Sequence, residues 1–341
     1  MDLLIEEINQ LWSFVQRYVD ETAIDMIHVV KSGDRTARDK MDRMDWLARN
    51  AEFLSPDQIT KCLLAFKDQF NGQSLPARNA YITAKHTSNA VITVVNLIDH
   101  ANKLNRDEET ISRLAILLSI LEPLLINDMN LEKALDMQTM GTLIGLLELP
   151  SYIKSANKQS DPDSVKLPIY IKYAIRCVTS CVRHPSGVEQ LFVINNGTTF
   201  ILQFIQLIRD EEIIANSAKI IRIVLREDKF YDQMIQRHSD LGNLLLETCS
   251  LFQFSEVVLT ELIAATRNFS RSTQAASYVA QSNVSILVSL GLNPPNEKIQ
   301  NLAVDCLRNM QRIQELERHI KQVGGHEIVL LLGEKNKFAF K

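Results

Sequence analysis

Internal repetition is the strongest constraint on what this 341-residue chain can fold into. Four segments of its second half align on an arginine: Ile175-Arg176-Cys177-Val178, Ile221-Arg222-Ile223-Val224, Thr266-Arg267-Asn268-Phe269 and Leu307-Arg308-Asn309-Met310. The arginines stand 46, 45 and 41 residues apart, within the roughly 40–47-residue period of helical repeat arrays. Each is followed 16 to 21 residues later by a turn and an apolar run. The turns are Asn196-Gly197, Leu241-Gly242, Ser282-Asn283 and Gly324-Gly325, and Met140-Gly141 fits the same slot one unit earlier. A repeat of this length cannot bury its apolar face alone, so neighbouring units must stack into a shared core.

Between these marks the apolar pattern is helical. Leu114, Leu117, Leu118, Leu121 and Leu125 recur at three and four residues, as do Val91, Val94, Val95 and Ile98, and Val257, Val258, Leu262 and Ala265. That spacing puts each set on one helical face. Ser55-Pro56-Asp57-Gln58 reads as a helix opening, with a Ser N-cap and Pro at the first helical position. Ser186 with Glu189, and Asn105 with Glu108, read as capping boxes. Glycine (11) and proline (9) are scarce, which argues against turn-rich β-sandwiches, collagen and disordered linkers. The prediction is an all-α protein.

Several of these residues resemble the armadillo family. AATRNFSR (264–271) and DCLRNMQR (305–312) look like its third-helix pattern, and QVGGHEIVLLL (322–332) like its glycine turn into the second helix; TVVNLID (93–99) is a weaker match. The resemblance is best over 170–333, weaker over 85–150, and departs from the pattern at Cys177 and Ile223. It implies a right-handed superhelical solenoid with a concave groove lined by third helices. In that family, asparagines of the third helix hold the backbone of an extended partner peptide. The resemblance therefore assigns partner binding to Asn268 and Asn309, with Asn96 a distant third. An amide suits that role because it both donates and accepts.

Arg176, Arg222, Arg267 and Arg308 share one phase, so they should project from one face at successive layers. A row of arginines can form bidentate contacts with carboxylate or phosphate, which points to an acidic or phosphorylated partner segment. The alternative is that each pairs with a neighbouring carboxylate, such as Glu261 or Asp305.

No catalytic, metal or cofactor signature emerges. Cys177, Cys181 and His184 lie at i, i+4 and i+7, but a fourth zinc ligand is missing, and small thiols of this kind are commoner as core residues. The H-E-x-x-H, G-x-S-x-G and phosphate-loop patterns do not occur. With 37 basic against 41 acidic residues and no interleaved aromatics, nucleic acid is not an expected partner. No apolar run approaches a membrane span. The acidic start MDLLIEEINQ and five scattered cysteines suggest a reduced cytoplasmic or nuclear setting.

The expected organisation is N-terminal capping layers over 1–84, with Trp12, Phe14, Val15 and Trp46 in their helices. Degenerate repeats over 85–149 and a polar loop over 150–168 follow, then repeats over 169–333 and a tail over 334–341. The loop carries Ser155, Ser160 and Ser164, which could accept phosphate, though a plain insertion explains its composition. The function expected is a non-enzymatic scaffold binding another protein in its groove. Alternatives are a regulator gripping a small GTPase or an Hsp70-type ATPase, or a structural subunit of a larger assembly.

Overall fold

The computed structural model describes residue 58 and residues 90–148, 167–194 and 197–330, to which every structural statement below refers. The expected capping layers apart from Gln58, nearly all of the 150–168 loop, and the 334–341 tail lie outside them. Among the described residues all regular structure is helical and there is no strand. Two compact units are present: residues 1–146 with 167–184, and residues 147–166 with 185–341.

The first unit contains α1 (Ala90–Asn102), α2 (Glu108–Leu124), α3 (Asp128–Asp136), α4 (Thr139–Leu146) and α5 (Tyr170–Cys181). Helix α2 packs against α1 and α5, while α4 also packs on α5. The core is the leucine stripe anticipated from its spacing: Leu114, Leu117, Leu118, Leu121 and Leu125 are fully buried, with Val94 and Ile98 of α1. Helix α2 starts two residues later than the Asn105 capping box would place it. Its N-cap is Asp107, whose carboxylate accepts from the Thr110 amide at 2.8 Å. That hydrogen bond holds the Asp107 carboxyl below its usual range.

The second unit repeats one pattern of short, middle and long helix. The rounds are α6 (Pro185–Val193), α7 (Gly197–Leu207) and α8 (Glu211–Val224); α9 (Asp228–Arg237), α10 (Leu241–Leu251) and α11 (Glu256–Phe269); and α12 (Thr273–Ser277), α13 (Gln281–Leu292) and α14 (Glu297–Met310). Helix α15 (Gln314–Gln322) and a helical run over 325–330 follow. Long helices stack α8 on α11 on α14, and middle helices α7 on α10 on α13. Each long helix also packs against the middle helix of its own round. This stacking accounts for the sequence period, because the same faces are buried in each layer. Ser186 is not an N-cap: α6 already begins at Pro185, whose fixed φ and missing N–H suit the first helical position.

Two glycines expected at turns instead stand at the starts of α7 and α10, where close approach dictates them. A Cβ on Gly242 would stand 2.6 Å from the Phe269 ring and 3.0 Å from Val279. One on Gly197 would stand 2.5 Å from the Leu191 carbonyl. Tyr231 ties α9 to the end of α11: its hydroxyl donates to the Phe269 carbonyl at 2.5 Å and accepts from the Ser272 amide at 3.2 Å.

Candidate partner-binding site

The long helices of the second unit are each 14 residues and share a design. Their first residues are Glu211, Glu256 and Glu297, and their last turns carry Arg222, Arg267 and Arg308. Acids at the N-terminus and cations at the C-terminus complement the helix dipole. The two asparagines picked out by the family resemblance sit one residue after Arg267 and Arg308, at the layer junctions.

Both asparagines reach back to the preceding layer. Asn268 Nδ2 donates to the Arg222 carbonyl at 2.9 Å, and Asn309 Nδ2 donates to the Arg267 carbonyl and to Ser270 Oγ, each at 3.3 Å. These carbonyls belong to last turns, where the helix supplies no i+4 donor of its own. The Arg226 amide turns back to Ile223, which leaves the Arg222 carbonyl for Asn268. Asn268 is buried and Asn309 half-buried. Their amide donors are thus occupied inside the protein, as struts between layers. Asn96 is exposed on α1 of the other unit.

The arginines meet carboxylates. Arg222 Nε lies 2.8 Å from Glu261 Oε2 on the next long helix, an ion pair whose N–H is not aligned as a hydrogen bond. Asp305 is shared: Oδ2 is 3.7 Å from Arg267 and Oδ1 3.0 Å from Arg308. Arg176 belongs to the first unit, where its Nη1 is 3.4 Å from Glu122 Oε2 on α2 and its guanidinium 5.5 Å from the Tyr173 ring centroid. The carboxylates named in advance as possible partners, Glu261 and Asp305, are the ones in place. One Asp between two arginines still leaves the Arg267–Arg308 pair with excess positive charge.

A second arginine row escaped the sequence reading. Arg226, Arg271 and Arg312 each lie four residues after an arginine of the first row, with the same 45- and 41-residue spacing. Repeating the alignment at i+4 would have found it. Each stands two residues beyond the end of a long helix. Arg271 pairs with Asp228 at 2.8 Å and covers the Tyr231 ring at 3.9 Å. Arg312 donates to the Arg271 carbonyl at 3.2 Å, linking two layers. Arg226 is exposed and makes no ion pair among the described residues. Six arginines therefore border one edge of three stacked layers.

The cysteines offer no comparable chemistry. Cys177, Cys181, Cys249 and Cys306 are all buried thiols. Burial pushes Cys181 and Cys249 up to about 12 and raises Cys177 and Cys306 well above the ordinary value. His184 lies 3.9 Å from Glu132. No three His, Cys, Asp or Glu side chains among the described residues are grouped to hold a metal ion. No described helix is long and apolar enough to cross a membrane.

No family model matches the chain, and no curated protein matches it. Among solved structures it is similar to an engineered protein, Northeast Structural Genomics Consortium target OR329. The TM-score is 0.55 at 15% identity, covering 79% of this chain and 96% of that one. That likeness is one of fold. Among the described residues, fold and candidate site together define an all-helical protein whose second unit stacks three-helix layers with an arginine-bordered edge.

Proposed function

We propose that the chain is a non-enzymatic, armadillo-like interaction scaffold, a right-handed solenoid that binds an acidic or phosphorylated segment of another protein. The observation that carries this reading is the doubled arginine row: Arg222 with Arg226, Arg267 with Arg271, and Arg308 with Arg312. In a chain of net charge -4, such a concentration on one edge is a local inversion of sign. Guanidinium groups offer the bidentate donor geometry that carboxylates and phosphates match. The first-row arginines and Arg271 are held by carboxylates of the stack, and Arg226 and Arg312 supply cations with no ion pair among the described residues. The asparagines hold the layers in register beneath it.

Arg226 and Arg312 give the cleanest test, because replacing Arg267 or Arg308 would also disturb Asp305. A serine-containing peptide is titrated by fluorescence polarisation, doubly phosphorylated and unphosphorylated, against wild type and Arg226→Glu with Arg312→Glu. The reading expects the phosphopeptide to bind wild type and to lose about tenfold or more in affinity in the variant, as for loss of one or two charge-assisted contacts. Equal affinities for the two proteins would refute it.

A further inference from the structure

The opposite ends of the long helices, about 20 Å away along 14 residues at 1.5 Å per residue, carry a surface of different character. Phe254, in the turn before α11, is 93% exposed. Val257, one turn on, is 68% exposed although its spacing predicted a core position, while Val258, Leu262 and Ala265 are buried as expected. Leu251 and Leu292, the last residues of stacked helices α10 and α13, are 57% and 54% exposed. Leu251, Phe254 and Val257 fall within seven residues of chain, and Leu292 ends the helix stacked on that of Leu251. Single exposed apolar residues need no explanation, but such a gathering at one end of stacked layers marks a contact surface.

The rim of this group is acidic. Glu211, Glu256 and Glu297 open the three long helices, and Glu212 follows the first. Ser255 Oγ donates to Glu211 Oε2 at 2.8 Å, and Asn296 Nδ2 donates to Glu256 Oε2 at 2.8 Å. These bonds tie the rim to Ser255, next to Phe254, and to Asn296, four residues after Leu292, and because both donors are neutral they leave the carboxylate charge uncancelled. The nearby cations are Lys298, beside Glu297, and Arg209, whose guanidinium donates to the Gln206 and Ile208 carbonyls.

We infer that this apolar, acid-rimmed corner is a second docking surface, which takes a partner segment presenting apolar side chains flanked by lysine or arginine. Phe254 is the anchor, with Leu251, Val257 and Leu292 beside it. An exposed aromatic beside an acidic rim has the composition of an interface hot spot. The glutamates select a basic partner and repel the acidic segment proposed for the arginine edge, so the two surfaces take opposite ligands.

Two synthetic amphipathic peptides test this with the full chain: one of leucine and lysine, the other with glutamate at every lysine. By fluorescence anisotropy the lysine peptide is expected to bind. Its affinity should fall about tenfold in Phe254→Ser, as for removal of an interface anchor, and should fall less in Glu256→Gln with Glu297→Gln. The glutamate peptide should not bind. Phe254→Ser alters an exposed side chain, so an unchanged thermal melt is expected to accompany the loss. Equal affinity of wild type and Phe254→Ser, absence of binding, or indifference to peptide charge overturns the inference. A concentration-dependent dimer abolished by Phe254→Ser also overturns it, since the occupant would then be a second copy of this chain.

Discussion

The side-chain amide of Asn268 donates to the main-chain carbonyl of Arg222, 46 residues earlier in the chain, at 2.9 Å. One residue thus satisfies the open end of a helix in the layer before its own. The arrangement recurs one layer on, where Asn309 reaches the Arg267 carbonyl. Arginine carbonyl and asparagine amide form the repeating joint of the stack, and the arginine side chains project from that joint.

Asn268→Ala removes a buried donor and leaves a last-turn carbonyl unpaired, at a cost of about 1–3 kcal/mol. Asn309→Ala should cost less, because Asn309 is half-buried and Ser270 Oγ also donates to the Arg267 carbonyl at 3.2 Å. Thermal melts of the two variants check the order. A smaller shift for Asn268→Ala would show that the strut is dispensable.

Gly242→Ala drives a methyl group into the Phe269 ring, which stands 2.6 Å from the position of the new Cβ. Overpacking of this kind costs about 1–3 kcal/mol. Gly141→Ala is the control, since nothing lies within 4 Å of its added Cβ. It should be neutral, or stabilising by up to about 1 kcal/mol through helix propensity. Urea titrations of both variants measure the contrast.

Ion pairs in the unit should rank by exposure. Arg222 and Glu261 are 26% and 20% exposed, against 65% and 54% for Lys229 and Glu189. A double-mutant cycle on the exposed pair should give about 0–0.5 kcal/mol, and one on Arg222–Glu261 the larger coupling, up to about 1 kcal/mol after allowance for solvent screening. Raising the salt concentration should weaken the exposed pair more.

The four thiols of the described residues are buried and raised in pKa. In a Cys62→Ser background they should stay silent toward a thiol reagent at pH 8, and all four should react once denaturant unfolds the chain. Stoichiometric labelling of the native protein would contradict their placement in the core.

The sequence period carried much of this architecture because stacking buries the same faces in every layer. The buried leucines of α2 follow directly from spacing, whereas Leu241-Gly242, read as a turn, instead opens α10, with Gly242 close-packed against Phe269. What spacing could not supply was the partner of each polar group. Asn268 looked outward by resemblance to a family, yet its donor lies against a carbonyl 46 residues away. Arg308 meets Asp305 three residues earlier on its own helix, but Arg267 reaches the same carboxylate only because two long helices pack side by side. Val257 fitted the apolar stripe but falls on the exposed shoulder of α11, since a stripe one residue too wide reads the same as a buried one. Cap positions slipped for a local reason: Asp107 outcompeted Asn105 by accepting directly from the Thr110 amide.

Hydrogen exchange with and without a saturating doubly phosphorylated serine peptide tests the central claim most directly. The proposed scaffold predicts slowed exchange confined to the three edge segments at 222–226, 267–271 and 308–312, and none of it in Arg226→Glu with Arg312→Glu. Protection elsewhere with those segments unchanged, or the same protection in the variant, would contradict the assignment of the arginine edge as the binding site.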